Sequence, residues 1–173
     1  ARTFLDTFRY LDQLGRLARR GVEVVAHNTL VASDYGLLDD VTLTPKPNYW
    51  GALLWRTVMD TQVLEPGVPI QSGLHLYAHC LRGTAGGVAL LAINNDRAAA
   101  RVLTVPMPGE RYTLSSDDLQ AKAVGLNGVE LKLGADDALP DLTAAPTQAG
   151  DMSLGPATIT FIALPGAGNQ ACL

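Results

Sequence analysis

The sequence predicts two architectures in series: α/β over residues 1–60, a helix–strand–helix portion of the kind that closes a (β/α)8 barrel, then an all-β antiparallel β-sandwich domain over residues 61–173. Three observations predict this. A helical apolar period opens the chain, and a short valine-rich run follows it with no companion strand nearby. From Thr61 onward, short apolar or alternating runs recur every 8 to 14 residues or so, separated by Gly, Pro, Asn and Asp.

The opening helix spans residues 3–20. Phe4, Phe8, Leu11, Leu14 and Leu17 recur at spacings of three and four, with Asp6, Arg9, Asp12 and Arg16 between them. Thr3 with Asp6 forms a capping pair, and Gly21 stops the helix after Arg19 and Arg20. Residues 22–26 (VEVVA) then read as a strand covered on both faces. A loop runs through Ser33, Asp34, Tyr35 and Gly36 to Pro45 and Pro47, and a second helix follows from about Tyr49 to Met59. One strand between two helices has no ladder partner, and burying its N–H and C=O groups unpaired would cost several kcal/mol in total. Helix–strand–helix is also the repeat of a (β/α)8 barrel. The front third therefore reads as the end of a barrel whose other strands lie upstream, and a chain of this kind is not expected to be stable alone.

Strands are expected at 62–64, 74–79, 88–94, 100–105, 112–115, 119–124, 129–133 and 158–164. Asn127-Gly128 is a two-residue hairpin turn between Val124 and Val129. The Ala-, Pro- and Asp-rich segment 134–155 reads as a long surface loop.

With 47% hydrophobic and 17% charged residues, the 173-residue chain can bury a core. Its formal net charge of -4, with no basic cluster beyond Arg16, Arg19 and Arg20, argues against a nucleic-acid partner. No apolar run reaches the roughly 20 residues of a membrane span. The first ten residues form a helix pattern rather than a signal peptide, and there is no initiator Met, so the expectation is a processed product or a fragment. The two cysteines, Cys80 and Cys172, are either separate thiols or one disulfide closing a loop of about 92 residues. A cysteine beside the chain end suits a tether, which favours the bridge and an exported protein, whether secreted, periplasmic or lysosomal.

Several motifs resemble the heparanase-like glycoside hydrolases of family 79. The segment DTFRYLDQLG at 6–15 is similar to the family's helix after the nucleophile loop, and RRGVEVV at 19–25 to its last barrel strand. YGLLD at 35–39 resembles the Tyr-x-Leu-Val-Asp loop, and PNYWGALL at 47–54 the start of the final barrel helix. LYAHC at 76–80, ALLAIN at 89–94, VGLNG at 124–128 and the terminal ACL at 171–173 match sandwich motifs in the same order. The resemblance spans nearly the whole chain, and it implies a Cys80–Cys172 disulfide.

It further implies a retaining endo- or exo-β-glucuronidase acting on heparan-type or related glucuronide glycans, with two glutamates about 5 Å apart as acid/base and nucleophile. Both would lie upstream of Ala1, on a partner portion carrying the rest of the barrel. The four glutamates here, Glu23, Glu65, Glu110 and Glu130, match neither, so no catalytic residue is expected in this chain. The resemblance places Tyr35 in the sugar subsite, donating a hydrogen bond toward the glucuronate carboxylate, as an uncharged phenol can. Asn28 stands where the family commonly has Gln and could bind a sugar hydroxyl. No cofactor or metal is expected. His75 and His79 share a strand face without a third ligand, and the pairs Asp117-Asp118 and Asp136-Asp137 lack a calcium loop's spacing. His27 reads as a strand-end residue satisfied by backbone, and Trp50 and Trp55 as packing residues rather than sugar platforms. The alternative is a non-catalytic glycosaminoglycan-binding heparanase-like protein.

Overall fold

The computed structural model describes residues 2–173; Ala1, the expected processed start, lies outside them. Two helices, α1 (Phe4–Ala18) and α2 (Pro47–Val58), precede ten strands. The first five are β1 (Met59–Leu64), β2 (Leu74–Leu81), β3 (Val88–Asn94), β4 (Arg101–Val105) and β5 (Gly109–Ser115). They are followed by β6 (Gly125–Leu126), β7 (Val129–Glu130), β8 (Ala145–Thr147), β9 (Gly150–Leu154) and β10 (Thr158–Leu164). Among the described residues, eight strands form one antiparallel sheet in the order β1-β2-β3-β10-β5-β6-β7, with β8 beside β5, while β4 and β9 pair separately.

The helices cover one face of the large sheet. Phe4, Phe8 and Leu11 of α1 and Trp50, Leu54 and Val58 of α2 share a core with Tyr77, Leu91, Ile93, Leu114 and Phe161. The β4–β9 pair covers part of the other face over Leu76, Ala92, Ile162 and Leu164. Strand β10 alternates between the two cores, and its residues from Ile159 to Leu164 are all buried. The helices meet where α2 presents Gly51, at which a Cβ would lie 3.0 Å from Thr7 Cγ2. There Thr7 Oγ1 donates to Asn48 Oδ1 at 2.9 Å, and Asn48 Nδ2 donates to Asp6 Oδ2 at 2.7 Å.

Most expected elements appear, with α2 starting at Pro47, a favoured first helical residue. Three differ. Thr3 makes no side-chain cap bond; the first-turn N–H groups of Phe4 and Leu5 donate instead to the carbonyls of Ala121 and Leu119. That service explains the second difference, since 119–124 is no strand. Asp118 turns the chain through its Oδ1, which accepts from Gln120 N at 2.8 Å, and the freed carbonyls go to the helix. Third, the expected loop 134–155 contains β8 and β9, because Met152 and Leu154 alternate into the second core. The Asn127-Gly128 turn joins β6 to β7 with both residues at positive φ, 49° and 86°.

Strand β2 carries two histidines in opposite situations. His75 Nδ1 lies 2.6 Å from Asp12 Oδ1, the same oxygen that accepts from the Tyr77 hydroxyl, while Arg16 Nε donates to Oδ2 at 2.8 Å. Burial pushes the Asp12 carboxyl up, but these hydrogen bonds outweigh it and hold the group below its ordinary value. His79 is 3% exposed and donates Nδ1–H to the Asp60 carbonyl at 2.6 Å. Its Nε2 is buried with no partner among the described residues. Burial lowers the His79 pKa against the opposing pull of Asp60. The unfolded chain therefore takes up a proton at His79 before the folded one does. Its stabilising contribution is complete above the ordinary value of 6.5 and is lost as pH falls through the lower folded-state value. Thermal melts from pH 7.5 to 5 should show a falling melting temperature, with a slope of at most about 1.4 kcal/mol per pH unit from this one proton. His79→Phe should flatten that slope; an unchanged slope would exclude His79 as its source.

Candidate functional site

After α1, Gly21 at φ 78° turns the chain outward, and Val22 N–H closes the helix end on the Leu17 carbonyl. The expected strand 22–26 forms no ladder, because no strand among the described residues lies alongside it. It is also uncovered: Val22 is 41%, Val24 81% and Val25 43% exposed. Apolar, β-branched backbone of this kind ordinarily sits inside a sheet.

The segment leads into a loop that holds Tyr35. His27 Nε2 donates to the Tyr35 carbonyl at 2.9 Å, and the His27 ring packs edge-on against Tyr10 at 5.4 Å between centroids. Leu37 N–H and Leu38 N–H donate back to the carbonyls of Thr29 and Leu30. The buried Lys46 sends its ammonium to the carbonyls of Ser33 and Asp34, each at 3.3 Å. Gly36 lies so close to this turn that a Cβ would sit 3.1 Å from the Ser33 carbonyl oxygen. Arg2 pairs with Asp34 on the outer surface. The loop backbone is thus fixed from both sides, whereas the Tyr35 ring is half exposed and its hydroxyl has no partner among the described residues. Asn28 is exposed beside His27 on the same loop.

A cavity of about 860 Å³ borders this loop at Leu30, Leu38 and Lys46. Leu38, Asp39 and residues 42–46 line it together with residues 130–134, Tyr49 and Trp50. Neither Tyr35 nor Asn28 lines it. Its carboxylates are Asp39, Glu130 and Asp137, and the backbone N–H groups of Thr42 and Val41 hold Asp39 below the ordinary carboxylate value. That direction is opposite to what a general acid requires.

The other sequence candidates resolve into packing and surface. Trp50 is 2% exposed in the core, and Trp55 packs edge-on to His79 at 5.2 Å. Asp117, Asp118, Asp136 and Asp137 are exposed. Among the described residues, no group of three or more His, Cys, Asp or Glu side chains could hold a metal ion. Cys80 and Cys172 form a disulfide that ties β2 to the C-terminal turn. The supporting role of Lys46 had no signal in the sequence beyond its place before Pro47. Its ammonium reaches carbonyls 12 and 13 residues away, through the fold of the loop.

No family model matches the chain. Mouse heparanase is 33% identical over 99% of this chain and 35% of its own length. Baicalin-beta-D-glucuronidase of Scutellaria baicalensis is 30% identical over 95% of the chain and 32% of its own. Human inactive heparanase-2 is 29% identical, again over 95% and 32%. Among solved structures, the GH51 alpha-L-arabinofuranosidase of Thermotoga petrophila superposes with a TM-score of 0.67 at 13% identity, covering 94% of this chain and 38% of that one; a likeness at that identity is one of fold. The chain spans about a third of the length of the curated relatives it matches. Relatedness that runs along nearly all of its own length places the chain in the heparanase-like family, glycoside hydrolase family 79.

Proposed function

We propose that this chain is the C-terminal portion of a retaining β-glucuronidase that hydrolyses glucuronide linkages in heparan-sulfate-like glycans. It acts with an upstream portion carrying the remaining barrel strands and both catalytic glutamates. On this reading residues 1–60 complete the barrel, residues 61–173 form a bracing β-sandwich domain, and the protein is exported to an oxidising compartment. The observation that carries the proposal is the segment 22–27, whose exposed valines and ladder-free backbone lead directly into the Tyr35 loop. Paired into a sheet, it would aim that loop at the C-terminal end of a barrel, where active sites of that fold lie.

The chemistry assigned to this chain is binding and orientation. Tyr35 donates its free hydroxyl toward the glucuronate carboxylate, and Asn28 offers an amide to a sugar hydroxyl. In the protein carrying the upstream portion, Tyr35→Phe should lower kcat/KM on an aryl β-glucuronide by about 10- to 100-fold, the worth of a hydrogen bond to a charged group. An aryl β-glucoside, lacking the carboxylate, should be affected far less. Unchanged glucuronide turnover in that variant, or turnover by residues 1–173 alone, would overturn the assignment. The inactive heparanase-2 among the relatives favours a second reading, a glycosaminoglycan-binding protein without turnover. Under it, the assembled protein retains the glycan and releases no aglycone.

A further inference from the structure

Strand β5 points Tyr112 and Leu114 toward the helix-side core and Arg111, Thr113 and Ser115 toward the opposite face. The β4–β9 pair covers that opposite face only in part, and β9 stops at Leu154. Between its end and β5 lies a pocket of about 300 Å³, the lower limit of small-ligand sites. On β10 the residue facing this pocket is Thr160, although Ile162 and Leu164 on the same face are apolar core. Thr160 is 1% exposed, pairs in register with Thr113, and the two hydroxyls lie 3.1 Å apart. Asn127 stiffens the wall: its Oδ1 accepts from Thr113 N–H at 2.9 Å, and its Nδ2 donates to the carbonyls of Arg111 and Thr143 at 3.2 and 3.0 Å.

Arg111 is the anomaly. Its Nε–H is buried without an acceptor, and the guanidinium has no ion pair among the described residues. Arg101, whose Nε is similarly buried, sends its terminal nitrogen to Asp96 at 2.8 Å. No carboxylate lines the Arg111 pocket, although the chain carries a net charge of -4. A half-buried guanidinium with an orphan donor is costly to keep, and an oxyanion supplies the missing acceptor in planar, paired geometry.

We propose that this pocket binds one acidic sugar ring. The carboxylate or sulfate oxygens sit on Arg111, ring hydroxyls exchange hydrogen bonds with Thr113, Thr160 and Ser115, and Leu154 meets a C–H face of the ring. Small hydroxyls suit such a ligand because each both donates and accepts. The pocket shares no lining residue with the 860 Å³ cavity and contains neither Tyr35 nor Asn28. The proposal goes beyond the glucuronidase reading and stands or falls separately from it.

The test follows the Arg111 Nε–H resonance by 15N NMR in the full chain during titration with methyl β-glucuronide, methyl β-glucoside and sodium sulfate. Glucuronide should shift it saturably, and the glucoside should bind about tenfold or more weakly, the worth of one charge-assisted hydrogen bond. Arg111→Gln should abolish the glucuronide response seen by calorimetry. Should that variant not fold, Thr113→Val, close in shape, should still weaken binding in a folded protein. Tyr35→Phe should leave the Arg111 shift intact, which keeps this outcome separate from the Tyr35 assignment. No shift with glucuronide, equal affinity for the glucoside, or sulfate bound as tightly as the glucuronide would each overturn the proposal.

Discussion

Cys80→Ser should destabilise the chain by about 4–5 kcal/mol, the chain-entropy value of a cross-link between residues 92 apart. That is a large share of the total stability of most domains. Without the bridge, the C-terminal turn is held by few bonds. The main ones are Gly86 N–H to the Cys172 carbonyl at 2.8 Å and Asn169 N–H to the Gly86 carbonyl at 2.9 Å. Both are exchangeable with water and contribute about 1 kcal/mol each. Urea unfolding of the wild type with and without reductant, beside Cys80→Ser and Cys172→Ser, measures the effect. The two single variants and the reduced wild type should share one midpoint, because all three lose the same cross-link. A loss below about 1 kcal/mol would mean that the unfolded chain gains little freedom when the bridge is removed.

Gly15→Ala should also destabilise, against the expectation from helix propensity. In an exposed helix this change gains about 1 kcal/mol. Here α1 crosses β2 directly over the Tyr77 ring, and a Cβ on residue 15 would lie 2.5 Å from both Tyr77 Cδ atoms. Neither side can yield. Tyr77 is fully buried with its hydroxyl on Asp12, and burial together with that carboxylate pushes the phenol pKa up, so it remains a donor. Phe4 and Leu11 fix the helix on the same core. Overpacking of this kind should cost a net 2–3 kcal/mol or so. A double-mutant cycle with Tyr77→Ala provides the check: once the ring is gone, Gly15→Ala should become neutral or stabilising. If the cost persists without the ring, the helix–sheet approach is not its cause.

Legibility in the sequence followed the range of the interaction. Phe4, Phe8 and Leu11 read as one helical face because that period is local, and α1 buries them. Strands 88–94 and 158–164 were readable to the residue, since continuous apolar runs between turn residues leave few other fates. By contrast, Leu119 and Val124 looked like strand residues, and only the docking of α1 turned the carbonyls of Leu119 and Ala121 toward a helix end. Strand β9 was hidden by Gly150, Asp151 and Ser153, although Met152 and Leu154 carried a faint alternation. For the candidate site, Tyr35 and Asn28 were named through resemblance, and the structure puts them on one exposed loop. The Lys46 clamp and the Arg111 pocket arise only in the folded chain, because each joins residues far apart in sequence.

By itself, then, the sequence determined the helices, the long strands, the tight Asn127-Gly128 turn and the family, all written in local periods or contiguous motifs. The tertiary structure alone decided which face each strand shows to which layer, where the polar pocket interrupts the second core, and which buried donors lack a partner. Those properties depend on which segments meet across the sheet, and hydrophobic pattern is indifferent to that choice until the chain has closed on itself.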